Sequence, residues 1–240
     1  MNRKSIFLKS IIFLILTMNI LGNEKIIKVA FGDTLPPYVL KDSNSGIIVD
    51  LIKKALEKEG YKIKCYYFPS SRRVLEFEKN KVDVICDMNK NNFISGNYLS
   101  NMIYEYENIL VTLAEKNYEI KSEIDLENHT VLAWQGADML SNQNKKYYEI
   151  ASQEKQVKML YAKRVDAIIV DRFIFEYFKN KSEIDNGKKY LKPIEYYYLF
   201  EKNKCGFLFK NQKIRDLFNK NVKEIQKSGE YEKIIKKYIK

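Results

Sequence analysis

Two segments of the chain share one pattern: a basic residue and Val-Asp lead into an apolar run that ends at Asp. They are Lys81–Asp87 (KVDVICD) and Arg164–Asp171 (RVDAIIVD), and an amphipathic helical pattern precedes each. In open α/β sheets, ligands bind at the carboxyl ends of the parallel strands. Helix–turn–strand units commonly resemble one another, so the repeat does not prove duplication. It favours two α/β lobes, each ending a strand in Asp, over one continuous sheet.

The segment Lys28–Leu56 contains a further strand whose carboxyl end is predicted to bind a ligand. Lys28–Phe31 is an apolar run bounded by glycine, as expected of a buried parallel strand. A loop with two prolines and Tyr38 follows, and an amphipathic helix is predicted just after Gly46. Such a strand–loop–helix unit places its loop, with Tyr38, at the carboxyl edge of a sheet.

Residues 1–22 are predicted to be a secretory signal peptide. They have a basic start and an apolar run, Ile11–Leu21, which is shorter than the roughly 20 residues of a membrane span. Cleavage is expected near Gly22, with an uncut anchor as the alternative. Asn23 stands where a lipoprotein would carry its lipidated cysteine. We therefore predict a soluble, periplasmic protein.

Composition argues against several functions. The net charge of +11 comes from lysines scattered along the chain rather than from one basic element, which disfavours nucleic-acid binding. Cys65, Cys86 and Cys205 lie in apolar runs and are most simply small buried residues. They show no metal-ligand spacing with the single histidine, His129, and no Ser/His/Asp set is evident. We predict no metal, no cofactor and no catalytic residues.

The chain resembles the family 3 extracellular solute-binding proteins, the periplasmic components of polar amino-acid ABC transporters. The matching segments keep the family's order and span nearly all of the mature chain. They are Lys28–Leu40, Gly46–Leu51, Lys81–Met88, Leu126–Asp138, Arg164–Arg172 and Lys223–Ile239. The match is incomplete at Ile48, where the family signature has an acidic residue.

The resemblance implies a two-lobed, periplasmic-binding-protein-like α/β fold. Each lobe would be a mainly parallel sheet flanked by helices, and the ligand cleft would lie between the lobes. Residues 24–107 plus 201–240 would form lobe 1, and residues 108–200 would form lobe 2. Two strands would cross between them, near Glu105–Asn108 and near Tyr198–Glu201. Ligand capture would then be a hinge closure.

The resemblance also implies ligand-binding roles for individual residues. Tyr38 matches the family's wall residue, and Asp171 matches the Asp that receives the ligand ammonium. The loop that begins Gln135-Gly136 matches the one whose backbone N–H groups meet the ligand carboxylate. Trp134 lines either the cleft or the core of its own lobe. Each of these residues also has a purely structural alternative, such as a packed Tyr, a helix-capping Asp or a turn glycine.

One departure from the family concerns the carboxylate clamp. Typical members follow the third strand with a Thr-x-x-Arg segment, whereas this chain has Met88–Asn92 without arginine. Arg72 and Arg73, at the start of a helix, are the substitutes suggested by some divergent members. Either could instead point to solvent. Asp87 would contact the ligand or pair with one of these arginines.

The sequence thus predicts a monomeric binding protein that captures a small amino-acid-like molecule and delivers it to an ABC permease in the membrane. Two alternatives remain. One is an enzyme on the same fold, either dehydratase-like or active on cell walls. The other is a sensory module that reports to a separate membrane receptor.

Overall fold

The computed structural model describes residues 25–137, 139–140, 146–186 and 192–239, with the side chains of 182–186 left aside. The predicted signal peptide, residues 1–22, lies outside this range, as does Asp138 of the Gln135-Gly136 loop. In the described part, no helix has the length and apolar character needed to cross a membrane.

The described residues contain eleven strands and six α-helices. In chain order they are β1 (Lys25–Phe31), α1 (Ile47–Glu57), β2 (Tyr61–Tyr67), α2 (Ser70–Glu78), β3 (Val84–Met88), β4 (Tyr98–Leu99), β5 (Tyr104–Tyr106), β6 (Asn108–Leu113), β7 (Val131–Trp134), β8 (Tyr147–Ile150), α3 (Gln153–Tyr161), β9 (Ala167–Asp171), α4 (Arg172–Asn186), β10 (Ile194–Tyr197), β11 (Asn203–Phe209), α5 (Gln212–Lys227) and α6 (Glu230–Tyr238). Short 3₁₀ helices lie at Ala114–Lys116 and Glu123–Leu126.

The strands form two separate sheets. The first has the order β2-β1-β3-β11-β4, with β5 paired to β11, and the second has the order β10-β6-β9-β7-β8. We call the first sheet with α1, α2, α5 and α6 the first lobe, and the second sheet with α3 and α4 the second lobe. The two-lobed α/β fold expected from the sequence is confirmed, while the residue bounds given for the lobes stay a prediction.

Each sheet is more mixed than the predicted mainly parallel arrangement. β1 pairs in parallel with β2 and β3, and β7 pairs in parallel with β8 and β9. β11 and β6 pair antiparallel with all of their partners. The antiparallel strands are those next to the crossings between the lobes. A strand that arrives from the other lobe has no helical crossover before it, and such a crossover is what a parallel neighbour requires.

Two local predictions differ from the structure. The polar, Asn-rich composition of residues 89–100 is typical of a loop, yet this region contains the short strand β4. The sequence of Gly136–Asn142 predicts the start of a helix, but Gln135 and Gly136 form a turn, and Asp138 and residues 141–142 lie outside the described residues. The edge strand β8 begins after that gap. β8 is largely exposed, so it lacks the apolar run that marks a buried strand.

The hydrophobic core of each lobe holds the strands whose carboxyl ends carry the predicted ligand-binding residues. In the first lobe, β1 and α1 pack through fully buried residues that include Val29, Phe31, Leu51 and Ile52. In the second lobe, β9 is buried along its entire length and ends at Asp171. Cys86 and Cys205 are buried, Cys65 is half-buried, and all three are free thiols.

Candidate functional site

The Tyr38 loop is held against the start of α1 by backbone contacts. The Ile47 and Ile48 N–H groups donate to the carbonyl oxygens of Pro37 and Tyr38, at 3.0 and 3.3 Å. Gly46 precedes the helix with φ 128° and ψ 165°, a region essentially confined to glycine. A Cβ atom at Gly46 would lie 2.3 Å from the Tyr38 carbonyl oxygen. Only glycine therefore allows the loop to close over the helix and fix Tyr38.

Tyr38 and Asp171 meet between the lobes. The Tyr38 hydroxyl donates a hydrogen bond of 3.0 Å to Asp171 Oδ1, and both residues are buried. Asp171 also accepts from the backbone N–H groups of Phe173 (3.0 Å) and Ile174 (3.1 Å) at the start of α4. Its other oxygen accepts from Glu107 N–H at 2.9 Å, on the crossing between β5 and β6. The carboxylate thus has four protein donors before any ligand arrives.

Burial shifts the pKa of both groups upward. Desolvation raises the pKa of Asp171 to about 6, even though the hydrogen bonds from Ile174, Tyr38 and Glu107 act to lower it. The pKa of the Tyr38 hydroxyl is raised well above its usual value, first by burial and then by the neighbouring Asp171. At neutral pH the tyrosine is therefore a donor and the aspartate is mainly an ionised acceptor.

Asp87 is the centre of a second cluster, at the end of β3. Its backbone is left-handed, with φ 60°. One carboxylate oxygen accepts from Arg73 Nη1 at 2.7 Å and from the Cys86 thiol at 3.0 Å. The other accepts from the hydroxyls of Tyr104 (3.0 Å) and Tyr106 (2.7 Å), both on β5. We call Arg73, Cys86, Asp87, Tyr104 and Tyr106 the Asp87 cluster.

The centre of the Asp87 cluster is a largely buried ion pair between Arg73 and Asp87. Burial would raise the pKa of Asp87, but Arg73 and the hydrogen bonds from Cys86 and the tyrosines outweigh it and lower the pKa. Arg73 is 6% exposed, and its Nε atom has no hydrogen-bond partner among the described residues. The pair is therefore charged at neutral pH, and Asp87 carries the more accessible side chain, at 23% exposure against 7% for Arg73.

The two candidate arginines have different surroundings. Arg73 is buried one turn into α2 and faces β3, whereas the Arg72 side chain is 64% exposed. The Arg72 guanidinium lies 5.1 Å from the Phe68 ring centroid and 3.6 Å from Glu76. Of the two, only Arg73 joins another predicted site residue, Asp87.

The Gln135-Gly136 loop follows β7 in the second lobe. Gly136 has φ 78°, and its N–H donates at 2.7 Å to Glu149, an exposed residue on the adjacent strand β8. The Gln135 N–H donates to the Ile150 carbonyl at 3.0 Å. Trp134 is half-buried and packs against the apolar core of the second lobe. The backbone N–H predicted to receive a ligand carboxylate thus already binds a carboxylate of the chain.

Strand register shows which groups share an edge. Ala30 pairs with Ile85, so Gly32 and Asp87 lie side by side where β1 and β3 end. Leu132 pairs with Ile168, which places Trp134 beside the end of β9 at Asp171. Asp87, Trp134 and Asp171 therefore lie at the carboxyl edges of the two sheets. Tyr38 contacts Asp171 directly, and Arg73 contacts Asp87 directly.

Three residues of the candidate site were not predicted from the sequence: Tyr104, Tyr106 and Glu149. Tyr106 links the two contacts, because its hydroxyl binds Asp87 and its ring lies edge-on to Tyr38 with centroids 4.7 Å apart. The alternation Tyr-Glu-Tyr-Glu over residues 104–107 is the signal that was available, since a period of two puts both tyrosines on one face of a strand.

A cavity of about 420 Å³ lies between the lobes beside the Tyr38–Asp171 contact. It shares Tyr104 with the Asp87 cluster and extends toward α6. Besides Tyr38 and Asp171, its wall includes Glu105, Glu107, Arg172, Phe173 and Tyr231. Glu105 and Glu107 alternate along the chain with the tyrosines that bind Asp87.

Two lobes with facing ligand edges, joined by closely spaced crossings, define the class of two-lobed α/β binding proteins. Within that class, the chain belongs to the bacterial extracellular solute-binding proteins, family 3, whose family model matches residues 27–240. A comparison with curated proteins found no match.

Solved structures of similar fold bind amino acids. The GluR0 ligand-binding core in complex with L-glutamate has a TM-score of 0.70 at 15% identity, covering 91% of this chain and 100% of that one. An ancestral cationic amino acid solute-binding protein has a TM-score of 0.69 at 17% identity, and the match covers 90% of this chain and 96% of that one. A histidine-bound substrate-binding protein of an ABC uptake transporter from Streptococcus pneumoniae has a TM-score of 0.64 at 18% identity. The match covers 89% of this chain and 92% of that one. At these identities the likeness shows the fold.

Proposed function

We propose that this protein captures a small amino-acid-related solute between its lobes by hinge closure and delivers it to an ABC importer. The observation that carries the proposal is the placement of charged groups at both carboxyl edges. Arg73 and Asp87 lie at one edge, and Asp171 lies at the other. Charged groups on two lobes that move relative to each other provide a ligand with contacts that form fully only when the cleft closes.

The similar proteins support a transport role. A histidine-bound and an arginine-bound substrate-binding protein of ABC transporters from S. pneumoniae share the fold. By this proposal the mature protein is periplasmic, loses residues 1–22 on export, and acts as a monomer whose partners are the ligand and a membrane permease. No catalytic step is assigned to it.

A sensory role is the second candidate, because the GluR0 ligand-binding core is also similar in fold. A sensory module would report ligand binding to a receptor rather than release the ligand to a permease. Deletion of the gene separates the two roles. Loss of uptake of the radiolabelled ligand supports import, whereas normal uptake with a lost response to the ligand supports sensing.

A thermal-shift screen of amino acids, amines and short peptides tests the binding function. A ligand at about 100 times its Kd stabilises the folded protein by roughly 2.7 kcal/mol, which is readily detected. Recovery of the ligand chemically unchanged after incubation separates binding from turnover by an enzyme. The proposal is wrong if no compound in the screen raises the melting temperature.

A further inference from the structure

The wall of the cavity between the lobes, which we call the interlobe cavity, contains two cations whose hydrogen-bond donors are mostly unused. One guanidinium nitrogen of Arg172, Nη1, donates to Glu107 at 3.3 Å, and the arginine side chain is 46% exposed. The ammonium of Lys204, an exposed residue, makes no hydrogen bond or ion pair with any residue that the structure describes. Both residues therefore keep donors for an anionic group of a ligand.

Arg172 also answers the question of the carboxylate clamp. A ligand carboxylate in a cleft is best held by an arginine or by converging N–H donors. The sequence lacks the arginine expected after β3, and neither Arg72 nor Arg73 lines the interlobe cavity. Arg73 is 7% exposed and is paired with Asp87. Arg172, the residue directly after Asp171, is the arginine on the described wall of the cavity.

Strand register places an acceptor beside these donors. Lys204 pairs with Glu105 across β11 and β5, so the two side chains lie on the same face of this ribbon. The Lys202 ammonium binds Glu105 Oε1 at 2.7 Å and Glu107 Oε1 at 2.9 Å. Glu107 uses its second oxygen for Arg172, whereas the second oxygen of Glu105 has no hydrogen bond within the described part of the chain. Glu105 therefore keeps an acceptor for a cationic group.

Tyr231 brings a neutral donor from α6. It is half-buried, lines the cavity, and its hydroxyl has no hydrogen-bond partner among the residues described. Burial raises its pKa to about 12, with a further contribution from the neighbouring Glu105, so the hydroxyl stays protonated at neutral pH. Since α6 belongs to the first lobe and Arg172 to the second, a ligand that contacts both residues connects the two lobes.

The rest of the wall is largely apolar. It includes Met102, Ile103, Phe173 and Ile235. The Phe173 ring stacks on the Tyr38 ring, with centroids 6.1 Å apart and an angle of 29° between the planes. The cavity volume of about 420 Å³ lies within the range of roughly 300 to 1,000 Å³ that is typical of small-molecule sites. These residues favour a ligand with a large aliphatic or aromatic group.

Charges around the interlobe cavity balance. Three carboxylates and two cations line it, and a third cation bridges two of the carboxylates. A ligand with a net charge would leave an uncompensated charge in a partly buried site, which is costly. A ligand that carries one charge of each sign avoids this cost. The groups concerned are Glu105, Glu107, Asp171, Arg172, Lys204 and Lys202.

We propose that the interlobe cavity binds a zwitterionic amino acid with a large apolar side chain, whose carboxylate is held by Arg172 and Lys204 and whose ammonium is held by Glu105. Tyr231 donates a further hydrogen bond from α6. The inference rests on the proposed binding function and narrows its ligand class. In this arrangement Arg172 replaces the arginine that is absent after β3.

Isothermal titration tests the ligand class. Phenylalanine, leucine, methionine and tryptophan are compared with arginine and glutamate. At least one of the four apolar amino acids should bind about tenfold or more tightly than either charged one, because the net charge of the latter is uncompensated.

Matched analogues test the requirement for both charges. For phenylalanine, 2-phenylethylamine lacks the carboxylate and 3-phenylpropanoate lacks the ammonium. Each should bind about 10- to 100-fold more weakly than the amino acid, because a charged group of the site then loses its partner. The same comparison applies to whichever apolar amino acid binds most tightly.

The outcomes separate this inference from the proposed function. Tighter binding of arginine or glutamate, or a ligand of another class found only in the wider thermal-shift screen, overturns the ligand class while the binding function stands. An analogue that binds as tightly as its amino acid overturns the need for both charges. If no compound binds in the titrations or in the wider screen, the binding function itself falls.

Variants test the residues. Arg172→Gln and Lys204→Gln should each weaken binding of the apolar amino acid by about tenfold or more, while affinity for its amine, which lacks the carboxylate, stays within about twofold. Tyr231→Phe removes a neutral donor and should weaken binding by about two- to tenfold. Arg164→Gln, at an exposed arginine elsewhere in the second lobe, is the matched control and should change neither affinity.

Equal losses for the amino acid and its amine, or no loss for either, would overturn the assignment of the carboxylate to Arg172 and Lys204. Melting curves without ligand verify that each variant folds. Arg172→Gln and Lys204→Gln alter different lobes, so either one that folds carries the test.

Discussion

Tyr38 and Asp171 are 133 residues apart in the chain, yet the Tyr38 hydroxyl lies 3.0 Å from the Asp171 carboxylate and donates to it. The contact joins the first-lobe loop to the last residue of β9 in the second lobe. Asp171 also caps α4 and binds the crossing at Glu107. One carboxylate therefore connects both lobes and the hinge, and its bonds contribute to both stability and interlobe geometry.

Tyr38→Phe should destabilise the protein by about 1 to 2 kcal/mol, because a buried hydrogen bond to a charged acceptor is lost while the ring packing is kept. The free energy of unfolding in urea measures the loss. Tyr198→Phe is the matched control, since Tyr198 is 58% exposed, and it should change stability little. Equal small effects of the two substitutions would contradict a stabilising role for the Tyr38–Asp171 bond.

Stability should depend on pH through Asp171. Its pKa is about 6 in the folded protein against 3.8 ordinarily, so the folded state binds the extra proton between these values. Protonation then favours folding, and the contribution of Asp171 to the free energy of unfolding rises as pH falls from about 7 to 4, by up to about 3 kcal/mol.

Asp87 contributes in the opposite direction, because its pKa is lowered in the folded state and its stabilisation is lost at acidic pH. The two effects are separated with Asp171→Asn. The difference in unfolding free energy, wild type minus variant, should increase as pH falls from 7 to 4. A difference that stays constant with pH would show that the pKa of Asp171 is not raised by folding.

Asp87→Asn should be strongly destabilising, by about 3 to 5 kcal/mol, because it leaves the Arg73 guanidinium buried without its counter-charge. Tyr106→Phe removes one donor to Asp87 and should cost about 1 kcal/mol. Arg72→Ala should stay within about 0.5 kcal/mol, since exposed ion pairs contribute little. Urea unfolding of the three variants checks the order, and a loss for Arg72→Ala as large as that for Asp87→Asn would contradict the assignment of Arg73 as the buried partner.

Gly46→Ala should destabilise the protein by about 3 kcal/mol or more, because the new Cβ would overlap the Tyr38 carbonyl oxygen and the backbone conformation is confined to glycine. Gly60→Ala is the control. Gly60 also has a positive φ, 79°, but no atom lies within 4 Å of the added Cβ. Its cost should be about 1 to 2 kcal/mol, from backbone strain alone. Similar losses at both positions would argue against a close approach at Gly46.

Much of the fold follows from local patterns. The repeated Val-Asp segments predicted two lobes, and the strands that contain Asp87 and Asp171 lie in different sheets. Apolar periodicity identified the buried strand β1 and the helix α1, because period and burial are local properties of the sequence. The edge strand β8 escaped detection since an exposed strand carries little of that pattern.

The sequence by itself determined the two-lobed α/β architecture and the placement of Tyr38, Asp87 and Asp171 at strand or loop ends. Tertiary structure alone decided that Arg73 rather than Arg72 meets Asp87, that Tyr38 donates to Asp171, and that Glu149 binds the Gly136 N–H. These choices depend on which side chains converge after folding. Buried charges require partners, and the nearest partner in space is often remote or ambiguous in sequence.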